Sequence, residues 1–417
     1  MSKIAEYRVR AVHCDHRASD EEVYRALKRA TEPLQESWTQ IERARRITIK
    51  FNQVFPPERR HYVDGVLQEL VDGKVTRATL RLLREHNPAA EMFCPETSPE
   101  ARRAGVPLEA NVAHVSLLEE YGVTLVEGDQ PPLKVCPVPG GGAMFRQYLL
   151  PQSVVDNDAF VSVSKMKSHA FMGVTLCLKN LFGLPPLPPH GRARAYYHHI
   201  IRLPYVLVDL GRIARPTLNI IDGLIGQSGR EWGGEGRIAD TLVAGDHVIA
   251  TDACGAQLMG FDPRADWPDQ PFLRDRSALR VAHEAGYGTV DLSQIDFQSE
   301  VRGPVASFHT VETDALETVA AWRRSTCEQA LHYRDHQEQY VARYAGQYIL
   351  LQDGEVKWHD EQSELAYSRR ELAGMRKQSA LWLKYVDPEE AEGEHFEVYE
   401  QELAALEEAP LSTVPPT

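Results

Sequence analysis

The sequence predicts an α/β fold: a mostly parallel sheet flanked by helices in Rossmann-like layers, plus a small C-terminal α+β module. Three observations carry that expectation. Short β-branched runs alternate with amphipathic segments up to about residue 305, the pattern of strand and helix layering. Polar residues collect where several predicted strands end, which is where parallel sheets present ligand crevices. Beyond residue 344 the order changes to hairpin, helix and strand within a few dozen residues. The 417 residues exceed one ordinary domain. They divide into residues 1–308 (α/β domain), 309–343 (helical linker), 344–388 (α+β module with hairpin) and 389–417 (acidic tail).

Residues 5–15 (AEYRVRAVHCD) read as a strand. Ser19-Asp20-Glu21-Glu22 opens a helix in which Val23, Leu27, Ala30 and Leu34 recur at helical spacing. Arg46–Asn52 alternates as a strand, with Ile47, Ile49 and Phe51 on one face and Thr48, Lys50 and Asn52 on the other. An irregular excursion (61–73) precedes an amphipathic helix, Lys74–His86, with Val75, Leu80 and Leu83 on one side. Ala90–Cys94 is a strand, Asn111–Tyr121 a helix and Val123–Val126 a strand. Residues 128–142 read as irregular, and their Gly140-Gly141-Gly142 suits either a flexible turn or an anion nest.

The stretch 160–186 (FVSVSKMKSHAFMGVTLCLKNLFGLPP) holds the densest polar cluster. A strand ends in Lys165-x-Lys167-Ser168-His169, and a buried helix follows around Val174, Leu178, Leu181 and Phe182. His190–Tyr205 is basic and aromatic, and suits a lid over an anion or a solvated loop. Val206–Ile213 should be helical, Pro216–Ile221 a strand, and Gly223–Gly236 a loop with six glycines in fourteen residues. Thr241–Ala244 is a strand, Asp246 caps a helix Val248–Met259, and Phe272–Ala285 is a further helix. Thr310–Tyr344 is helical and polar. Tyr348–Gln352, an Asp353-Gly354 turn and Glu355–Trp358 form a hairpin, then Ser363–Lys377 a helix and Ala380–Val386 a strand.

Hydrophobic content of 43% and charged content of 25% are those of a soluble globular protein. Lysine and arginine total 46 against 60 aspartate and glutamate, a net charge of −14 that argues against nucleic-acid or anionic-membrane partners. The six cysteines lie at least about forty positions apart with no CxxC pair, so no iron–sulfur cluster is encoded. No signal core or membrane-length apolar run is present, which predicts a cytoplasmic protein, with homo-oligomerisation possible.

Lys50 and Asn52 end one predicted strand, Lys165 and Lys167 a second, and Asp222 a third. Lysines gathered in one crevice repel, so they need either a protein carboxylate, for which Asp222, Glu235 and Asp252 are available, or an anionic ligand. His169 is open to a proton-transfer, metal-ligating or structural role, and neighbouring lysines should hold its imidazole neutral. Lys179-Asn180 can either touch ligand or close a core helix. The glycine-rich loop, Gly234 included, would let backbone amides approach a ligand.

ITIKFN (47–52), SKMKSH (164–169), GVTLCLKNLFG (173–183), IIDG (220–223), the Gly233–Gly236 turn and AGD…ATDA…MGFDP (244–263) resemble the prokaryotic family called domain of unknown function 362. The likeness spans roughly residues 5–305 and places its motif positions at Lys50, Asn52, Lys165, Lys167, His169, Lys179, Asn180, Asp222 and Asp252. The family usually has proline where Phe51 stands, and many members carry ferredoxin-like cysteines that this chain lacks. The expectation is an enzyme that binds a small anionic substrate, phosphorylated or carboxylated. Lys50, Asn52, Lys165, Lys179, Asn180 and Gly234 would bind it, with Lys167, His169 and Asp222 doing the chemistry. A divalent metal on His169, Asp222 or Asp252 is possible, the cofactor being otherwise unknown. The alternative is a non-catalytic ligand-binding or partner-docking protein using the C-terminal module.

Overall fold

Sixteen strands can be followed in a computed structural model that describes residues 7–362 and 381–408. In chain order they are β1 (Tyr7–His13), β2 (Arg46–Phe51), β3 (Tyr62–Val63), β4 (Val66–Leu67), β5 (Glu91–Glu96), β6 (Val123–Glu127), β7 (Leu133–Pro137) and β8 (Gln147–Pro151). Then come β9 (Ala159–His169), β10 (Gly173–Thr175), β11 (Leu218–Ser228), β12 (Glu235–Gly245), β13 (Ile295–Ser299), β14 (Tyr348–Gln352), β15 (Glu355–Asp360) and β16 (Trp382–Tyr385). The central sheet has nine strands in the order β13-β1-β12-β11-β9-β2-β5-β6, with β10 added to β9. It is mostly parallel. β12 runs antiparallel to both neighbours, and β10 antiparallel to β9.

The chain lays β5 and β6 on one side of β2 and β9 on the other. The loops leaving β2 and β9 therefore diverge, and a crevice opens at their C-terminal ends. Apolar residues of both sheet faces are covered. Ile47, Ile49, Val161 and Val163 pack with Leu27, Val75 and Leu80 of the N-terminal helices. Phe160, Met166 and Ile221 pack on the other face with Leu178, Val206 and Ala253.

Local signals explain most elements. Ser19 caps the helix Asp20–Thr31 with a full capping box to Glu22, and Asp72 caps Gly73–His86. Asp353 and Gly354, with φ of 51° and 74°, turn β14 into β15 as the Asp-Gly pair demands.

Several expectations need correcting. Residues 223–236 are mostly strand, because β11 and β12 pair as far as Ser228 and Glu235 and leave a turn of only 229–234. Residues 128–142 contain β7, which pairs with β8. His247, not Asp246, caps the helix Val248–Leu258, while Asp246 accepts the Arg8 amide at 2.9 Å. The helix expected over 272–285 spans only Ala278–Glu284. A helix Gln35–Arg43 and the edge strand β13 were not anticipated. The helix expected over 363–377 lies outside the described residues.

Beyond residue 309, helices Leu316–Asp335 and Gln337–Tyr344 lead to the three-stranded sheet β15-β14-β16. Tyr333, Tyr348, Leu350, Trp382 and Tyr399 share one continuous core with Phe145, Tyr196 and Val206. The acidic end includes a helix, Glu397–Glu408, that buries Val398, Tyr399 and Glu402. Among the described residues no helix is long and apolar enough to cross a membrane.

Asp252 illustrates how the core fixes the motif segment. Its carboxylate, buried and pushed up to about 7 by desolvation, accepts the amides of Cys177 (2.9 Å) and Leu178 (2.7 Å) at the start of the short helix Cys177–Asn180. Asp252→Ala leaves both amides unpaired in the core and should cost about 3 kcal/mol in urea denaturation. A loss under ~1 kcal/mol would show that the short helix does not need this cap.

Candidate functional site

A cavity of about 180 Å³ lies at the C-terminal ends of β2, β5 and β9, at the point where the chain reverses direction across the sheet. The segment leaving β2 contributes Lys50, Asn52 and Gln53, and that leaving β5 contributes Glu96, Thr97 and Glu100. From β9 come Lys167 and His169, and from the following helix Lys179, Asn180 and Gly183. The remaining wall is Arg194 and His198 on one side and Glu231 and Trp232, from the turn after β11, on the other.

The register of β2 and β9 pairs Ile49 with Val161 and Phe51 with Val163, so these odd residues share a face. Lys165, Lys167 and His169 continue that face, while Lys50 projects from the opposite one. The lysines meet only at the edge, where the sheet ends. Lys50 reaches Glu96 at 2.6 Å, both groups being buried. Gly183 permits this, since a Cβ there would stand 2.7 Å from Lys50 Cε.

Lys167 donates to the Glu69 carbonyl at 2.8 Å and sits 4.2 Å above the Trp232 ring. Desolvation pulls its ammonium down to about 7, and Lys165 adds to this against the carboxylates of Glu231 and Glu69. Lys179 lies 4.6 Å over Phe182 and has no hydrogen-bond acceptor among the described residues. Burial, then the Arg194 charge, brings it to about 7, against Glu231. Arg194 stacks on the same Phe182 ring at 4.8 Å, again with no carboxylate in salt-bridge contact among the described residues. Burial lowers its pKa too.

His169 Nδ1 accepts the amides of Phe171 (3.0 Å) and Met172 (3.2 Å). Burial and the charges of Lys179, Lys167 and Arg194 push the imidazole well below its usual range. A neutral ring with Nδ1 accepting carries its proton on Nε2, so His169 is a donor from that nitrogen. His198, 6.1 Å away by ring centroids, is also held neutral, first by burial and then by Lys179. Glu231 accepts the Ala170 amide at 3.0 Å and stands 3.4 Å from His169 Nδ1.

Several acceptors around the cavity lack a donor. Asn180 spends its amide nitrogen on the Lys50 carbonyl (2.8 Å) and Ser162 Oγ (3.1 Å), leaving Oδ1 buried and unpaired. Asn52 Oδ1, Gln53 Oε1 and Thr175 Oγ1 are likewise buried without a partner.

Of the residues singled out from sequence, Lys50, Asn52, Lys167, His169, Lys179 and Asn180 converge on the cavity. Lys165, Asp222, Asp252 and Gly234 do not. Lys165 and Asp222 pair with each other at 3.0 Å, wholly buried. Asp222 also accepts the amides of Asp72 (2.8 Å) and Leu224 (3.0 Å), so its lone pairs serve a helix start and the β11 bulge. Asp252 caps the 177–180 helix as described above. Gly234 offers only its carbonyl, to Gln68 at 2.9 Å. Glu235 pairs with Arg237 at the surface. With Nδ1 of His169 and both aspartates so engaged, the three do not form a metal-ligand set.

The basic stretch 190–205 divides. Arg194 and His198 face the cavity, whereas Arg192 pairs with Glu392 at 2.9 Å and Arg202 with Glu394 at 2.8 Å. Tyr196 and Tyr197 hydroxyls also donate to Glu392 (3.1 and 3.0 Å). The C-terminal segment thus clamps the back of the strip that carries Arg194 and His198. Glu96, Glu231 and Trp232 were not foreseen. The Glu231-Trp232 pair does stand inside the glycine-rich stretch, the only sequence cue for it.

Residues 61–257 match the model of the family described as domain of unknown function (DUF362). That region resembles the DUF362 family, and the match spans a little under half of the chain. It is also 30% identical over 125 residues to the thylakoid-associated protein sll1697 of Synechocystis sp. (strain ATCC 27184 / PCC 6803 / Kazusa), covering 28% of this chain and 38% of that protein. Among solved structures, the lactate racemase apoprotein from Thermoanaerobacterium thermosaccharolyticum overlaps 60% of this chain and 56% of its own, with 14% identity and a TM-score of 0.36.

Lys179→Met removes a half-buried ammonium that has no hydrogen-bond acceptor among the described residues, and keeps its volume. A lysine titrating near 7 in the fold and above 10 when unfolded penalises the folded state while it is charged, so folding gains stability as pH rises through that window. The variant should therefore melt several degrees above wild type at about pH 6, and the gap should close by about pH 10. A variant less stable at about pH 6 would show that the lysine is compensated inside the fold.

Proposed function

We propose that the DUF362-like domain of this chain binds a small organic anion, carboxylated or phosphorylated, in this cavity, and that the protein is an enzyme acting on it. One contrast carries the reading. Elsewhere among the described residues the fully buried cations are paired with carboxylates: Lys165 with Asp222, Arg202 with Glu394, Lys384 with Glu390 and Glu394, and Arg323 with Asp275 and Glu402. In the cavity Lys179 and Arg194 are not, and Lys167 has only a backbone carbonyl and a ring face. Lys167 is buried and Lys179 and Arg194 are half-buried; a charge withdrawn from water without a partner is unfavourable, and a bound anion offsets that cost.

The volume, below the ~300 Å³ at which sites for drug-sized ligands begin, suits a molecule of few heavy atoms and not a nucleotide. His169 supplies what an anion site alone does not need. A neutral imidazole with its proton on Nε2 donates to an oxygen that gains negative charge during reaction, while Nδ1 is anchored by two backbone amides. Lys167 and Arg194 hold the anion. The docking alternative gains no support from the C-terminal segment, whose Glu392, Glu394 and Glu402 are spent on internal partners.

Anion binding should raise the pKa of Lys167 and Lys179 from about 7, so complex formation takes up protons near neutrality. Calorimetric titration with small carboxylates and phosphate monoesters in buffers of different ionisation enthalpy measures this. Affinity should fall at least about tenfold, ~1.4 kcal/mol, between pH 7 and about pH 9, and by a similar factor in Arg194→Ala. Absence of binding across the series, or affinity independent of pH and of Arg194, contradicts the reading.

A further inference from the structure

Of the four cations that line the cavity Lys50 is paired with Glu96, and the other three are not equivalent. Lys167 donates to a carbonyl and lies over the Trp232 ring face, both of which favour its charged form. Arg194 is a fixed charge on the Phe182 ring. Lys179 shares that ring but has no acceptor among the described residues, and the Arg194 charge beside it disfavours protonation. An amine set against a fixed cation in a desolvated pocket is the standard means of keeping a lysine nucleophilic near neutral pH.

We propose that Lys179 is an amine nucleophile that forms an imine with the oxo group of a small 2-oxo acid bound in this cavity. The inference rests on the anion-binding reading above and names its substrate class. Lys167 and Arg194 hold the carboxylate, which sets the adjacent oxo carbon towards Lys179. The Nζ lone pair attacks that carbon, the C–N bond forms as the C=O π bond opens, and one Nζ proton ends on the oxygen. The hydroxyl then leaves as water with the second Nζ proton, giving C=N. One amine and one carbonyl become one imine and one water, with no oxidant or reductant consumed. His169 donates from Nε2 to the carbonyl oxygen as it gains charge. The unpaired Oδ1 of Asn180 and Oγ1 of Thr175 are acceptors for the carbinolamine hydroxyl. The small volume favours short oxo acids over longer ones.

The test is reductive trapping. The full chain is incubated with pyruvate or glyoxylate and sodium cyanoborohydride, digested, and its lysine adducts are mapped by mass spectrometry. The expected result is a predominant reduced adduct on Lys179, lost in Lys179→Met, diminished in Arg194→Ala and suppressed by excess propionate, which has the carboxylate but no oxo group. Lys179→Met removes an unpaired charge, so its loss of adduct cannot be ascribed to unfolding while its melting point stays at or above that of wild type. Adduct absent from Lys179 with both oxo acids, centred on Lys167, or spread over surface lysines overturns the proposal. Thermal stabilisation by propionate, measured on the same preparation, separates the two failures. Stabilisation without trapping removes only the imine; neither stabilisation nor trapping removes the anion-binding reading as well.

Discussion

An ammonium withdrawn from water must find a negative partner, lose its proton or be held at a cost, and this constraint organises the whole interior. The fold meets it by pairing in most places. Lys165 with Asp222 joins β9 to β11 and, through the Asp72 amide, to the start of the helix Gly73–His86. Lys50 with Glu96 joins the ends of β2 and β5. These pairs are structural, and removing one member would strand the other. Against that background Lys179 and Arg194, half-buried and with no carboxylate in salt-bridge contact among the described residues, are the positions at which an anion is proposed to bind.

The same pairing explains what the C-terminal segment does for the site. Arg194 and His198 sit on a strip whose back is held by Glu392 and Glu394, with Arg202 also donating to the Leu383 carbonyl at 2.6 Å. Ile201, at the end of that strip, has φ of 73°, a strained conformation for a β-branched residue, and Asp275 accepts its amide at 2.8 Å. Asp275 is in turn fixed by Arg323 on the helix Leu316–Asp335. Residues far along the chain therefore hold the strip that carries Arg194 and His198.

Much of this was legible in sequence, for physical reasons. Period-two alternation placed Lys165 and Lys167 on one strand face, and the KxKxH and KN segments drew attention to the right edge of the sheet. Alternation could not say that Lys165 would be consumed by Asp222 and Lys167 left to the cavity. That depends on the β11 bulge at residues 223–226, which no local pattern announces. Asp222 and Asp252 look like chemistry in a motif, yet both spend their oxygens on amides that the fold strands at a bulge and a helix start. Glu96 entered the site through a contact between residues far apart in sequence, beyond the reach of spacing arguments. The glycine-rich stretch misled because β11 and β12 are long: Gly223, Gly226 and Gly236 stand within them at close contacts, and only Gly229, Gly233 and Gly234 fall in the turn.

The central claim is that two cavity lysines are desolvated and await an anion. The most direct measurement is an NMR pH titration of the lysine side chains in the free protein and with a saturating small carboxylate. Two lysines, identified through Lys167→Ala and Lys179→Met, should titrate at about 7 when free and move upward when the carboxylate is bound. If every lysine of the free protein titrates near the ordinary value of about 10.4, the cavity is solvated or already compensated, and the account fails.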